Sequence, residues 1–282
     1  MTFVDLHVHT TASDGEFTPA EVVGRAAEVG LAAIALTDHD TLGGVPEAEA
    51  AGERLGVRVV AGCEFSASAP WGELHLLGYF LSPDDDALLE FLQQQQDGRA
   101  ARADHIVERL RGLGVPLESR AVRFHAGGTI GRPHVARALV EAGAVEDIAE
   151  AFDRYLGRGR PAFVAKVLPS TEEVCAVVHG GGGVLSAAHL RDRASRGSLK
   201  RLAAAGVDAV EARHPSHDPD MAGRIERLAA EVGMVVTGGS DWHGDSRLAA
   251  SRGVLGSQQV PAAWLERLED RQRSLNASEV GT

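Results

Sequence analysis

Short apolar runs and helical stripes take turns along the chain almost from its first residue. FVDLHV reads as a strand, alternating apolar and polar positions. TPAEVVGRAAEVG then carries helical spacing, with Thr18 as N-cap, Pro19 at the first helical position and Glu21 completing a capping box. LAAIALTDHD is the next buried strand, VPEAEAAGERLG the next helix, VRVVAGCEFS a third strand and ELHLLGYFL a fourth. The rhythm resumes late: helix STEEVCAVVHGGG, strand GVLSAAHL, helix SLKRLAAAG, strand VDAVEARHP, helix DPDMAGRIERLAAEVG and strand MVVTGGSDWH. PAAWLERLEDRQRSL predicts a last helix, followed by a polar, flexible tail over 276–282. Seven strands, mostly separated by helices, predict a parallel α/β sheet, either closed as a barrel or open and doubly wound. Periodicity does not choose between the two.

The interval from Pro83 to Lys166 breaks that rhythm. DDDALLEFLQQQQDGRAARADHIVERLRGLG is one long charged helical pattern, TIGRPHVARALVEAG is another, and no strand lies between them. The division predicted is a discontinuous barrel (1–82 and 167–275) carrying a mostly helical cap over 83–166.

Composition narrows the function. Aromatic residues make up 5 % of the 282, so Ala, Val, Leu and Gly must build the core. A net charge of -12 argues against coating long duplex nucleic acid, which needs a broad basic surface, but leaves room for a small anion in a locally cationic cleft. Cys63 and Cys175 are too few for a disulfide framework and have no CxxC spacing. With no secretory leader pattern and no apolar run of about 20 residues, the expected location is the cytoplasm, away from membranes.

The candidate chemistry sits at the strand ends, where βα barrels build active sites. His7, His9 and Asp14 lie in DLHVHTTASDG, His39 in LTDHD, Glu64 in GCEFS, His75 in ELHLLG, His189 in SAAHL, and Asp241 and His243 in GSDWH. Any one of them has an ordinary explanation as a hydrogen-bonded strand-end residue. Together they do not, because carboxylates crowded into one mouth repel unless cations neutralise them. Imidazole and carboxylate donors without thiolates suit Mn²⁺, Fe²⁺ or Zn²⁺, with Mn²⁺ as the working assignment, rather than a structural zinc centre.

DLHVHTTASDG, TDHD, Glu64, His189 and SDWH together resemble the polymerase and histidinol phosphatase (PHP) family of metal-dependent phosphoesterases, over nearly the whole chain. The resemblance implies a distorted (β/α)7 barrel with a trinuclear metal site. It divides the ligands into His7, His9, Glu64 and Asp241 for one ion, bridging Glu64 with His75 and His189 for a second, and Asp14, His39 and His243 for a third. Three divalent ions against three carboxylates and a bridging hydroxide leave roughly two positive charges, a match for a phosphate monoester dianion.

A helical insertion after the fourth strand is similar to the subgroup acting on nucleoside 3',5'-bisphosphates and trimming short 5'-phosphorylated RNA. The expected partners are therefore a small phosphorylated nucleotide, phosphate and short RNA. Arg132 and His134 in GRPH and His214 and His217 in EARHPSH are the candidate substrate contacts. His217 and His134 are the candidate catalytic residues, His217 to protonate the leaving oxygen. Arg99, Arg102, Arg158, Arg160 and Lys166 read as solvated charges, His105, His125 and His179 as surface residues, and Trp71 as packing. The rival readings are histidinol-phosphate phosphatase, whose cationic amine calls for carboxylates near the cleft, and a non-catalytic metal-binding PHP domain.

Overall fold

The computed structural model describes residues 2–125, 128–245 and 253–279. The elements run β1 (Phe3–Val8), α1 (Pro19–Glu28), β2 (Ala33–Leu36), α2 (Val45–Leu55), β3 (Arg58–Ala69) and β4 (Gly72–Tyr79). Then come α3 (Asp86–Gly112), α4 (Ser119–His125), α5 (Arg132–Glu141) and α6 (Ile148–Ala151), with one π turn over Phe152–Leu156. The chain returns through α7 (Thr171–Gly180), β5 (Val184–Ala187), α8 (Arg196–Ala204), β6 (Ala209–Arg213), α9 (Pro219–Val232), β7 (Val235–Gly238), β8 (Val260–Pro261) and α10 (Ala262–Glu279).

One sheet orders its strands β7-β6-β5-β4-β3-β2-β1-β8 and curls until its ends nearly meet, Val8 bridging Trp242 and the His9 N–H donating to the Trp242 carbonyl at 3.0 Å. The predicted strands are all present, with a two-residue β8 added antiparallel to β1 at the seam. The expectation of parallel pairing fails at β4, which is antiparallel to both β3 and β5. Strand β3 runs on to Ala69, leaving only Pro70 and Trp71 before β4, too short a link for a crossover helix. That reversal matters for the chemistry. It brings His75, near the start of β4, opposite Ser66 in β3, at the end where the other strands finish.

Local signals explain the helices. Thr18 accepts from the Glu21 N–H while Glu21 accepts from the Thr18 N–H at 2.8 Å, so the predicted capping box forms. The main core fills the space between sheet and helices, and Tyr79 crosses it to donate to the Leu6 carbonyl at 3.0 Å. A second apolar cluster lies entirely between Ile106 and Ala162, around Val107, Leu110, Val122, Val135 and Leu139. Helix α3 joins the two, since Leu88 and Leu92 belong to the first cluster and Ile106 and Leu110 to the second. Of the expected flexible tail, 276–279 instead continue α10, whose Gln272 and Asn276 reach the Gly182 carbonyl; 280–282 lie outside the described residues. No helix among the described residues is long and apolar enough to cross a membrane.

Candidate metal centre and its cationic annex

All nine candidate ligands converge at one end of the barrel. Glu64 sits at the centre: one carboxylate oxygen lies 2.7 Å from His75 Nδ1 and 3.2 Å from His189 Nε2. The other lies 3.0 Å from His39 Nδ1, 3.3 Å from His9 Nε2 and 3.5 Å from His7 Nε2. Asp241 faces His7 and His9 at 3.4 and 3.3 Å, and Asp14 faces His243 at 3.1 Å and His39 at 3.8 Å. Donor atoms close enough to share an ion form four groups: Glu64–His75–His189, His7–His9–Glu64, His9–Asp14–His39–His243 and His7–His214–Asp241. The first three lie close to the expected partition, with His9 also facing Asp14, and the fourth brings in His214, which is not among the nine.

Whether these residues fit cations can be judged from their unused atoms. His7 Nε2, His9 Nε2, His39 Nδ1, Glu64 Oε2 and His243 Nε2 are buried without a hydrogen bond of acceptable geometry. A buried polar atom left without a partner costs roughly 1–3 kcal/mol, and five of them facing inward to one point are a donor set, not a packing accident. The electrostatics agree. Burial pulls His7 and His9 down, yet the facing carboxylates outweigh it, holding His7 well above the ordinary imidazole value and His9 at about 9. Burial raises Glu64, but His39, His75 and His7 hold it well below the carboxylate range. The centre is an acidic nest of donors that attracts positive charge.

Several buried groups that the sequence pattern did not mark hold these ligands in place. Glu211, in the middle of β6, accepts from His7 Nδ1 at 2.9 Å and from the His189 N–H at 2.7 Å. This is the carboxylate–histidine arrangement that fixes the tautomer of a ligating imidazole. Asp38 accepts from the Thr10 N–H (2.8 Å), the Thr10 hydroxyl (2.6 Å) and the Ser13 hydroxyl (2.5 Å), shaping the loop that carries Asp14. Asp5 accepts from the Ser240 and Gly256 N–H groups, both at 2.8 Å, and fixes the loop before Asp241. A charged residue inside an otherwise apolar strand was the available signal for Asp5 and Glu211. Backbone strain gathers at the same place, since Asp40, His189 and Asp241 take positive φ values of 50°, 30° and 50°. Each costs on the order of 1–3 kcal/mol and persists only where the surroundings enforce it. Gly239 permits a close approach to a candidate ligand: a Cβ there would stand 2.3 Å from the His7 Cβ.

The candidate substrate residues separate. Arg132 lines a cavity of about 220 Å³ that opens directly onto Asp14, His39 and His75. Its guanidinium lies 5.5 and 5.7 Å from the rings of Phe152 and Phe163 and, among the described residues, donates to the Leu156 carbonyl alone. His134 is buried and is not part of that wall; its Nδ1 accepts from the Gly131 N–H at 2.8 Å and caps α5. His217 has both ring nitrogens engaged, Nδ1 donating to the Ala212 carbonyl (2.9 Å) and Nε2 accepting from the Arg191 N–H (3.2 Å). In this arrangement it supports a loop, and no nitrogen is left for a leaving group. His214 is better placed. Its Nδ1 accepts from the Ser216 N–H at 3.0 Å, so the neutral ring carries its proton on Nε2, 3.4 Å from Asp241.

The arginines read as solvated divide as well. Arg158 and Arg160 are exposed, Arg160 pairing with Asp153. Arg99, Arg102 and Lys166 instead join Arg132 around the cavity. Arg99 pairs with Asp40 at 2.6 Å and Lys166 with Glu73 at 2.6 Å. Among the described residues Arg102 donates to the Val164 carbonyl alone, and burial together with Arg132 draws it down to about 10. Among the described residues, neither Arg102 nor Arg132 has a carboxylate within ion-pairing reach. His179, expected at the surface without a partner, pairs with buried Asp208 at 2.9 Å; Trp71 packs on the main core; the side chain of His125 lies outside the described residues. Both cysteines are buried and unbridged.

Comparison with known proteins agrees with this geometry. The PHP domain family model matches residues 5–111. A 3',5'-nucleoside bisphosphate phosphatase of Chromobacterium violaceum is 36% identical over 259 residues, covering 86% of this chain and 88% of that protein. A 5'-3' exoribonuclease of Haemophilus influenzae is 34% identical over 244 residues, covering 85% and 89%. The crystal structure of a metal-dependent phosphoesterase from Bifidobacterium adolescentis superposes with a TM-score of 0.87 at 32% identity, covering 96% of each chain. Identity of 34–36% over most of the chain, together with the matching fold and domain, makes the chain a member of the PHP family of metal-dependent phosphoesterases.

Proposed function

We propose that the enzyme removes the 3'-phosphate from nucleoside 3',5'-bisphosphates, using three divalent cations, with Mn²⁺ as the working assignment. His7, His9, Glu64 and Asp241 would hold the first ion, Glu64, His75 and His189 the second, and Asp14, His39 and His243 the third. When bound, such ions supply an activated water and positive charge for the phosphoryl oxygens. In the overall reaction, water displaces the 3'-oxygen at phosphorus, the P–O3' bond breaks, and the 3'-oxygen leaves with a proton. His214, whose Nε2 lies 3.4 Å from Asp241 beside the cluster, would hydrogen-bond the phosphoryl group.

The observation that carries the reading is the cationic annex beside the metal centre. Of its four cations, Asp40 and Glu73 balance Arg99 and Lys166. Arg102 and Arg132, among the described residues, make no direct ion pair and feel Glu73 only at longer range, which suits them to a phosphate dianion. Arginine suits that task because its planar fork meets two phosphate oxygens at once. A substrate with one phosphate on the metals and a second about one sugar away satisfies both sites; the cationic amine of histidinol phosphate would meet repulsion in the annex. The names of the two relatives point the same way. A 5'-phosphorylated RNA end offers the same pair of groups, so 5'-to-3' trimming of short RNA belongs to the same reading.

Steady-state rates on adenosine 3',5'-bisphosphate, 3'-AMP and p-nitrophenyl phosphate test the proposal. The bisphosphate should be strongly preferred, and Arg132→Ala should raise its KM by roughly 10–100-fold, the worth of a charged hydrogen bond, while sparing the aryl ester. Equal efficiency on all three substrates would defeat the reading.

A further inference from the structure

A larger cavity lies on the far side of the cationic annex. It measures about 790 Å³ and runs between α3 and α7 beneath the segment 164–169. Three side chains, Arg99, Arg102 and Lys166, face both this cavity and the smaller one. None of the nine candidate metal ligands reaches it. The order is therefore metal centre, annex, cationic wall, groove. Beyond the wall the lining turns largely apolar, with Phe91, Leu168, Pro169 and Val177, and the amides of Gln94 and Gln95 also line it. Arg102 ties wall to roof through the Val164 carbonyl at 2.8 Å. A volume of this size falls in the ordinary range for small-molecule sites, about 300–1,000 Å³.

A phosphate dianion alone has no use for that space. Seen from the metals, the groove begins where the annex ends, which is where a group attached to the outer oxygen of the 5'-phosphate would emerge. We propose that the groove seats such a group, so that the enzyme also dephosphorylates nucleoside 3'-phosphates whose 5'-phosphate carries a further, partly apolar arm. This rests on the reading that the 5'-phosphate occupies the annex. The arm passes Arg99, Arg102 and Lys166, the side chains common to both cavities, and its apolar part lies on Phe91, Leu168 and Val177. The chemistry at the 3' end is unchanged: water replaces the 3'-oxygen, and inorganic phosphate and the 3'-hydroxyl are released.

The test compares phosphate release from adenosine 3',5'-bisphosphate and from coenzyme A, which has a 3'-phosphate and a long 5'-diphosphate arm. Ala101→Trp and Ala176→Trp serve as groove-filling variants, because both alanines line the groove from exposed helical positions where a larger side chain need not disturb the core. The wild type should process coenzyme A with kcat/KM within about tenfold of the bisphosphate. Each tryptophan should cut the coenzyme A value by about tenfold or more and leave the bisphosphate within about twofold. If the wild type turns over the bisphosphate but not coenzyme A, or if the variants lower both alike or neither, the groove proposal is overturned alone. If the bisphosphate itself is not hydrolysed, the underlying reading falls and takes the proposal with it.

Discussion

Replacing Glu211 by Gln isolates the support of the metal centre from its ligands. The glutamate is fully buried and serves two acceptances at once, His7 Nδ1 at 2.9 Å and the His189 N–H at 2.7 Å. Burial pushes its carboxyl up, but His7 and His214 outweigh that and keep it below the ordinary value, so near neutral pH both oxygens accept. A glutamine of the same shape keeps one acceptor and turns the other into a donor, which must oppose either His7 or the His189 backbone. One charged hydrogen bond is lost, at about 1.5–3 kcal/mol, and a donor is left facing a donor. If the loss appears in the ligands, it equals roughly a 10–100-fold drop in cation affinity, the usual cost of removing such a supporting carboxylate. Titration of the metal-free protein with Mn²⁺ by calorimetry or chelator competition reads that number directly, and the melting temperature of the metal-free variant reads any purely structural cost. Wild-type affinity in Glu211→Gln would refute the reasoning, as would an affinity loss matched by general unfolding.

The other expectations are brief. Gly239→Ala should cost bound metal as well as stability, because its methyl would collide with the His7 Cβ at 2.3 Å; an alanine variant with full metal content would show that the approach has slack. Leu139→Ala, fully buried in the second apolar cluster, should destabilise by about 2–5 kcal/mol, with increased amide exchange concentrated in α4 and α5 rather than in the barrel strands. Cys175, pushed up to about 12 by burial beside Asp208, and Cys63, higher than usual for the same cause, should resist a thiol reagent at pH 8 until the protein unfolds. Rapid labelling of the native enzyme would contradict their burial.

The candidate ligands were legible because each stands at or near a strand end in a short motif. DLHVH sets two imidazoles, and SDWH a carboxylate and an imidazole, on alternating positions, and sequence order carried them to one mouth. His75 was legible as a residue but not as a location, since its place depends on β4 running backwards, and that followed from three extra residues at the end of β3. Arg102 was not legible at all. A charged position on a long polar helix reads as solvated, and what buries it is the segment around Val164, 62 residues along. His217 misled for the opposite reason: its position at the active end was read correctly, but its partners, Ala212 and Arg191, are backbone groups that no motif reveals. Glu211 lay in plain view in AVEAR, yet its meaning needed the two histidines it serves.

The central claim is that nine side chains from six strands and the loops that follow them cage divalent cations that make the enzyme work. Its most direct measurement is the metal content of protein purified without chelator, taken alongside hydrolysis of adenosine 3',5'-bisphosphate on the same sample. The account predicts about three divalent ions per chain, with activity that disappears on chelation and returns with Mn²⁺. Undiminished activity in protein stripped to well under about 0.1 ion per chain would contradict it.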